Sequence, residues 1–177
     1  MAVYISGGCK NGKSTHAQRI AKAFGSPLYY VATMIPYDEE DRARIRRHIG
    51  ERDGWGFETI ECGRDILNCL TRADADGAFL IDSVTALLSN EMFLPDGTVD
   101  KSAPARIADD LLVFVARAPK TVLVSDYLFS DAALYPELVE EYRAGLAMID
   151  RRVAAACDAL IEVVNGIPLF HKGAATW

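Results

Sequence analysis

No stretch of this 177-residue chain reaches the roughly 18 consecutive apolar residues needed to span a bilayer. The amino terminus, Met1-Ala2-Val3-Tyr4-Ile5-Ser6, lacks the basic segment and following apolar run of a secretory signal. These absences predict a cytoplasmic protein with no membrane span. Basic residues are in deficit, 19 Lys and Arg against 25 Asp and Glu, for a net charge of -6. Binding a nucleic-acid backbone requires a basic surface that displaces counterions, so no nucleic-acid partner is expected and any anion site must be local. The four cysteines, Cys9, Cys62, Cys69 and Cys157, form no CxxC pair and no His/Cys cluster of zinc-site spacing. They are expected to be reduced thiols. Repeats and low-complexity linkers are also missing, and the length fits one domain, residues 1–177.

Short apolar runs alternate with helix-compatible segments. Strands are predicted at Val3-Tyr4-Ile5, Leu28 to Ala32, Phe57 to Ile60, Ala78 to Ile81, Thr121 to Val124 and Leu160 to Val164. Helices are predicted at Lys13 to Phe24, Asp38 to Ile49, Val84 to Phe93 and about Pro104 to Arg117, with one or two between Pro136 and Cys157 and part of one at Ile66 to Leu70. Leu94-Pro95-Asp96-Gly97 is a turn, and Ile167 to Phe170 after Asn165-Gly166 suggests a terminal hairpin. The alternation predicts an α/β fold, a mainly parallel sheet with helices on both faces and one antiparallel edge strand.

Gly7-Gly8-Cys9-Lys10-Asn11-Gly12-Lys13-Ser14 matches G-x-x-x-x-G-K-[ST] without a mismatch, between a strand and a helix. In that context backbone N–H groups and the helix N-terminus converge on phosphates. Gly7, Gly8, Cys9, Lys10, Asn11, Gly12, Lys13, Ser14 and Thr15 are therefore the candidate nucleotide-binding residues. Lys13 is expected to reach the β- and γ-phosphates and Ser14 to ligate Mg²⁺. Asp82 ends a buried apolar run at the sheet edge where ligands of open α/β folds bind, which makes it a second Mg²⁺ candidate. A simple capping role for the helix that starts at Ser83 is the alternative.

The segment Asp38 to His48 begins acidic and ends basic, as the helix dipole favours. A solvated helix face accounts for that pattern. Glu40, Arg44 and His48 also lie four apart on one face, and an imidazole among the arginines Arg44 and Arg47 suits nucleophilic attack on a phosphorus. Spacing alone does not choose between these readings. His16, just past the loop, reads as packing or support, and His171 as a surface residue.

The chain resembles the bifunctional adenosylcobinamide kinase / adenosylcobinamide-phosphate guanylyltransferase family. The likeness rests on Gly7-Gly8 with Gly12-Lys13-Ser14 and His16-Ala17, on Tyr30-Val31-Ala32-Thr33, and on Arg44-Ile45 with His48. It extends through Ile81-Asp82-Ser83 with Thr85, Ser89-Asn90, Val122 to Ser125, and Val164 to Leu169 with Lys172-Gly173. The resemblance implies a RecA-like P-loop fold, a homotrimer, GTP and/or ATP as substrates, and a corrinoid, adenosylcobinamide, as the second substrate. It also implies that His48 carries GMP covalently, with Lys13 as the other catalytic residue. The chain departs from the family at Asp126-Tyr127-Leu128-Phe129, where Asn-Glu-Val-Gly is usual, and at Asp150-Arg151, where an Asn-Gln pair is common. Two competing readings are a divergent P-loop kinase with another acceptor and a GTP-binding regulator that is not an enzyme.

Overall fold

Six strands lie parallel in one sheet: Val3–Gly7 (β1), Leu28–Ala32 (β2), Glu58–Glu61 (β3), Ala78–Asp82 (β4), Thr121–Asp126 (β5) and Ala159–Val164 (β6). Ile167–Lys172 (β7) turns back and pairs antiparallel with β6, so the order across the sheet is β3-β2-β4-β5-β1-β6-β7. The reversal is made by Asn165 and Gly166, both at positive φ (50° and 81°), as a two-residue hairpin loop requires. This computed structural model describes residues 1–129 and 131–174.

Successive residues of a strand face opposite sides of the sheet, and the apolar residues here build a core on each side. Val3, Ile5, Tyr30, Leu80 and Val124 pack with Ala17, Ile20 and Ala21 of the helix Lys13–Ala23 (α1). Their neighbours Tyr4, Val31, Phe79, Ile81 and Leu123 face the other way, toward Val84–Met92 (α3), Ala103–Arg117 (α4) and Glu137–Ala156 (α5). Helix α4 starts with a proline in its first turn and buries Ile107, Leu111 and Phe114 along one stripe, the pattern of a core-facing helix. The fold is a RecA-like P-loop architecture with helices on both faces of the sheet.

Two sequence expectations are corrected. Ile66–Thr71 forms a 3-10 turn rather than a piece of α-helix. Of the one or two helices expected between Pro136 and Cys157 there is one, of 20 residues. The strand expected to end at Val124 runs on to Asp126, which brings Asp126 level with Gly7. Ser130, in the segment where the chain departs from the family it resembles, lies outside the described residues.

Candidate active site

Strand β1 ends at Gly7, and the loop that follows is shaped by its own sequence. A Cβ on Gly7 would lie 2.6 Å from the Val163 carbonyl and collide with the Asn11 amide, so the close approach to β6 requires glycine. Asn11 braces the loop, its Nδ2 donating to the Val163 carbonyl and its Oδ1 accepting from the Lys13 N–H at 3.2 Å. Lys10 and Gly12 take positive φ (57° and 90°), and α1 begins directly at Lys13. The N-cap of α1 is Gly12, which has no side chain to occupy this end of the helix, and helix N-termini in such loops take anions.

The loop opens onto a cleft of about 770 Å³, within the usual range for ligand pockets of about 300–1,000 Å³. Lys13, Ser14, Asp82, Asp126, Arg44 and His48 all line it. Three of the segments that carry the family resemblance converge on one wall. The buried Thr33 hydroxyl accepts from the Ser83 N–H at 2.6 Å and donates to the Ser83 carbonyl at 2.8 Å, across the cis Asp82–Ser83 peptide. Asn90 donates to the carbonyls of Thr33 and Gly63 at 2.7 and 2.9 Å. These bonds fix where Asp82 stands. Asp82 itself does not cap α3, because Ser83 does so, accepting from the Ala86 N–H at 3.2 Å. Instead its Oδ2 accepts from the Tyr30 hydroxyl at 2.8 Å.

The charged helix spans Glu39–Glu51 (α2) and is capped by Asp38, which accepts from the Asp41 N–H at 2.8 Å. Its half-buried stripe is Asp41, Ile45 and His48, one position away from the Glu40–Arg44–His48 row expected from spacing. His48 therefore faces the cleft, with Arg44 beside it, exposed but still part of the lining. Arg47 does not line the cleft. Arg42 and Arg46 both do, and both are held by Glu39, at 3.0 and 2.8 Å. His16 lies outside the cleft with its Nε2 3.0 Å from the Gly166 carbonyl, and His171 is exposed and pairs with Glu162.

Two residues escaped the sequence reading. Asp126 ends β5 next to Gly7 and sets its Oδ1 2.6 Å from Lys13 Nζ, while the Gly8 carbonyl accepts from the same ammonium at 3.1 Å. Arg52, just past α2, is buried and lays its guanidinium 3.5 Å over the ring of Tyr30, the residue that holds Asp82. Both signals depend on strand order and on how α2 docks, and neither is periodic in the sequence.

Hydrogen bonding and burial shift groups of the site in opposite directions. Cys62 lines the cleft, and its thiol is lowered to about 7, chiefly by a hydrogen bond with Cys69 and further by the nearby Arg72. Behind the Lys13–Asp126 pair, Asp150 of α5 accepts from the hydroxyls of Tyr4 (2.5 Å) and Ser125 (3.0 Å). Burial pushes its carboxyl up to about 6, outweighing the lowering by those two hydroxyls. Unfolded, the same group titrates near about 3.9. A raised pKa means that the folded state holds the proton more tightly, so this stabilisation is complete below pH 4 and is lost as pH rises through 6. A shift of about 2 units corresponds to roughly 3 kcal/mol. Asp150→Asn keeps an acceptor for both hydroxyls and removes the titration. Its melting temperature is expected to exceed that of the parent above pH 7 and to converge with it near pH 4, as calorimetry across that range will show.

A family model described as cobinamide kinase / cobinamide phosphate guanyltransferase matches residues 3–170. The bifunctional adenosylcobalamin biosynthesis protein CobU of Salmonella typhimurium is 31% identical over 179 residues, covering 94% of this chain and 97% of its own. CobP of Pseudomonas aeruginosa, described in the same words, is 28% identical over 174 residues, with 96% of each chain covered. Among solved structures, the P4 protein of bacteriophage phi6 in complex with ADP superposes with a TM-score of 0.50 at 14% identity over 98% of this chain and 58% of its own. That last likeness concerns the fold alone. With the family model matching residues 3–170 and Lys13, Ser14, Asp82 and His48 gathered on one cleft, the chain belongs to the cobinamide kinase / cobinamide phosphate guanylyltransferase family of adenosylcobalamin biosynthesis.

Proposed function

We propose that this chain phosphorylates adenosylcobinamide and then transfers GMP from GTP to the resulting phosphate through a guanylyl intermediate on His48. The observation that carries the reading is the placement of His48 on the same cleft as Lys13, Ser14 and Asp82. In the guanylyl half, an unprotonated imidazole nitrogen of His48 attacks the α-phosphorus. The bond from that phosphorus to its bridging oxygen breaks, and pyrophosphate leaves with the electron pair. A phosphate oxygen of adenosylcobinamide phosphate then displaces the imidazole and takes the GMP. Lys13 and Arg44 meet the negative charge that develops on the phosphoryl oxygens. In the kinase half, the acceptor hydroxyl attacks the γ-phosphorus, with GTP or ATP as donor.

Ser14 and Asp82 offer a hydroxyl and a carboxylate, the hard oxygen donors that Mg²⁺ takes together with substrate phosphates and water. Such an ion neutralises charge on the phosphates. Asp82→Asn keeps an acceptor for Tyr30 but loses the charge. It is expected to lower Mg²⁺-dependent turnover roughly 10²-fold while leaving nucleotide binding in EDTA within about threefold. Equal losses with and without Mg²⁺ would make Asp82 a structural residue.

Incubation with α-labelled GTP tests the whole reading. An acid-labile label on the protein supports it. Phosphorylation of another acceptor without a label favours the divergent kinase, which the Asp126-Tyr127-Leu128-Phe129 segment recommends, since Tyr127 is exposed and stacks edge-on with Phe129 beside the loop. Binding without any transfer favours a regulator. We also propose that residues 1–177 work as one transferase domain, in a cytoplasmic homotrimer like that implied for the family. No helix among the described residues is long and apolar enough to cross a membrane.

A further inference from the structure

We propose that Asp126 is the general base of the kinase half-reaction, taking the proton from the acceptor hydroxyl as it attacks the γ-phosphate. This rests on the kinase reading above and adds a catalytic residue to it. Three carboxylates line the cleft among the described residues: Glu61, Asp82 and Asp126. Strand order ranks them. Glu61 ends β3 at the far edge of the sheet, Asp82 ends β4, and Asp126 ends β5, the strand that adjoins β1 and its loop. Asp82 already accepts from Tyr30 and is the candidate for the metal.

Asp126 Oδ1 lies 2.6 Å from the ammonium expected to hold the β- and γ-phosphates. A carboxylate oxygen there stands beside the site of the γ-phosphorus, where an acceptor hydroxyl must arrive. Its backbone is pinned, the Asp126 N–H donating to the Thr85 hydroxyl at 2.9 Å and the Tyr127 N–H to the Gly7 carbonyl at 3.0 Å. Its side chain keeps about a quarter of its surface exposed (24%) and so remains open to a substrate. The pairing also supplies a sequence of events. Without nucleotide, Lys13 neutralises Asp126. When phosphate takes Lys13, the carboxylate loses its counter-ion and is released as a base.

The step balances without any redox partner. The acceptor O–H proton passes to Asp126 Oδ1, and the oxygen's electron pair forms the new bond to the γ-phosphorus. The bond from that phosphorus to the bridging oxygen breaks, and the nucleoside diphosphate leaves with that pair.

Asp126→Asn and Asp126→Ala in the full chain separate a base from a mere counter-ion. The assay uses Mg²⁺, ATP or GTP, and adenosylcobinamide, with affinity for a non-hydrolysable triphosphate measured alongside and melting curves to confirm folding. Removal of the carboxylate is expected to tighten analogue binding severalfold, because Lys13 loses its competitor, and to lower kcat for phosphorylation by about 10²–10⁴-fold. Tighter binding with an unchanged or higher kcat overturns the base and leaves Asp126 a counter-ion. A loss of affinity that accounts for the lost rate overturns it as well. If the wild type takes the guanylyl label yet phosphorylates nothing, the kinase reading fails and the base fails with it. Wild-type phosphorylation that persists in both variants overturns the base alone.

Discussion

Replacing His48 by alanine is expected to leave no acid-labile guanylyl label on the protein and to lower GMP transfer by about 10⁴-fold or more, as loss of a covalent nucleophile does. The proposed adduct would be a phosphoramidate, stable to base and labile to acid, so gel autoradiography after the two treatments identifies it. Phosphorylation of adenosylcobinamide is expected to survive at least in part, because the substrate's own hydroxyl attacks the γ-phosphate and Lys13 and Ser14 serve that step. A label that persists in His48→Ala moves the nucleophile elsewhere. His16 is then the next residue to test, although its ring faces the Gly166 carbonyl outside the cleft.

Lys13→Ala is expected to lower turnover of both half-reactions by on the order of 10²–10³-fold, since it removes the fixed charge that meets the phosphates. A second effect adds to this. The Asp126 carboxylate, 2.6 Å from Lys13 Nζ in the parent, is left facing the triphosphate without its counter-ion. Nucleotide affinity measured by calorimetry therefore drops further than loss of one attraction requires. The double variant Lys13→Ala with Asp126→Asn recovers part of that affinity, and the difference is the coupling energy of the pair. Melting curves of the single variant are expected to stay near the parent's, because among the described residues the polar partners of Lys13 Nζ are the Gly8 carbonyl and Asp126. Wild-type turnover in Lys13→Ala would sink the P-loop assignment.

Much of this was legible in the sequence because it is local. Leu28 to Ala32 is a strand over the span that its apolar run marks, and the glycine loop carries its own geometry in Gly7, Asn11 and Gly12. Asp82 was visible because a carboxylate after a buried run must emerge at the sheet edge. Asp126 was not, since its meeting with Lys13 depends on β5 lying next to β1, and strand order leaves no periodic trace. Helix α2 carries no stripe of apolar residues from which to read its buried face. Ile45 is half-buried and Ile49 exposed, so the docked row had to be read from the fold. Arg47, four residues after Ala43 on another side of the helix, fell outside the cleft for that reason. The 3-10 turn at Ile66–Thr71 has helical composition with Asp65 at positive φ before it, and composition does not tell one helix type from the other.

Helix α2 has no buried side chain from Glu39 to Gly50, whereas α4 buries Ile107, Leu111 and Phe114. Each such apolar side chain is worth roughly 1.5–3 kcal/mol to its place in the core. Its ion pairs, such as Glu39 with Arg42 and Arg46, join residues of the helix to one another and do not anchor it to the sheet. The carrier of His48 is thus the cheapest of the long helices to displace. Under the proposed reading, a nucleotide that shifts this helix moves the imidazole without opening the core.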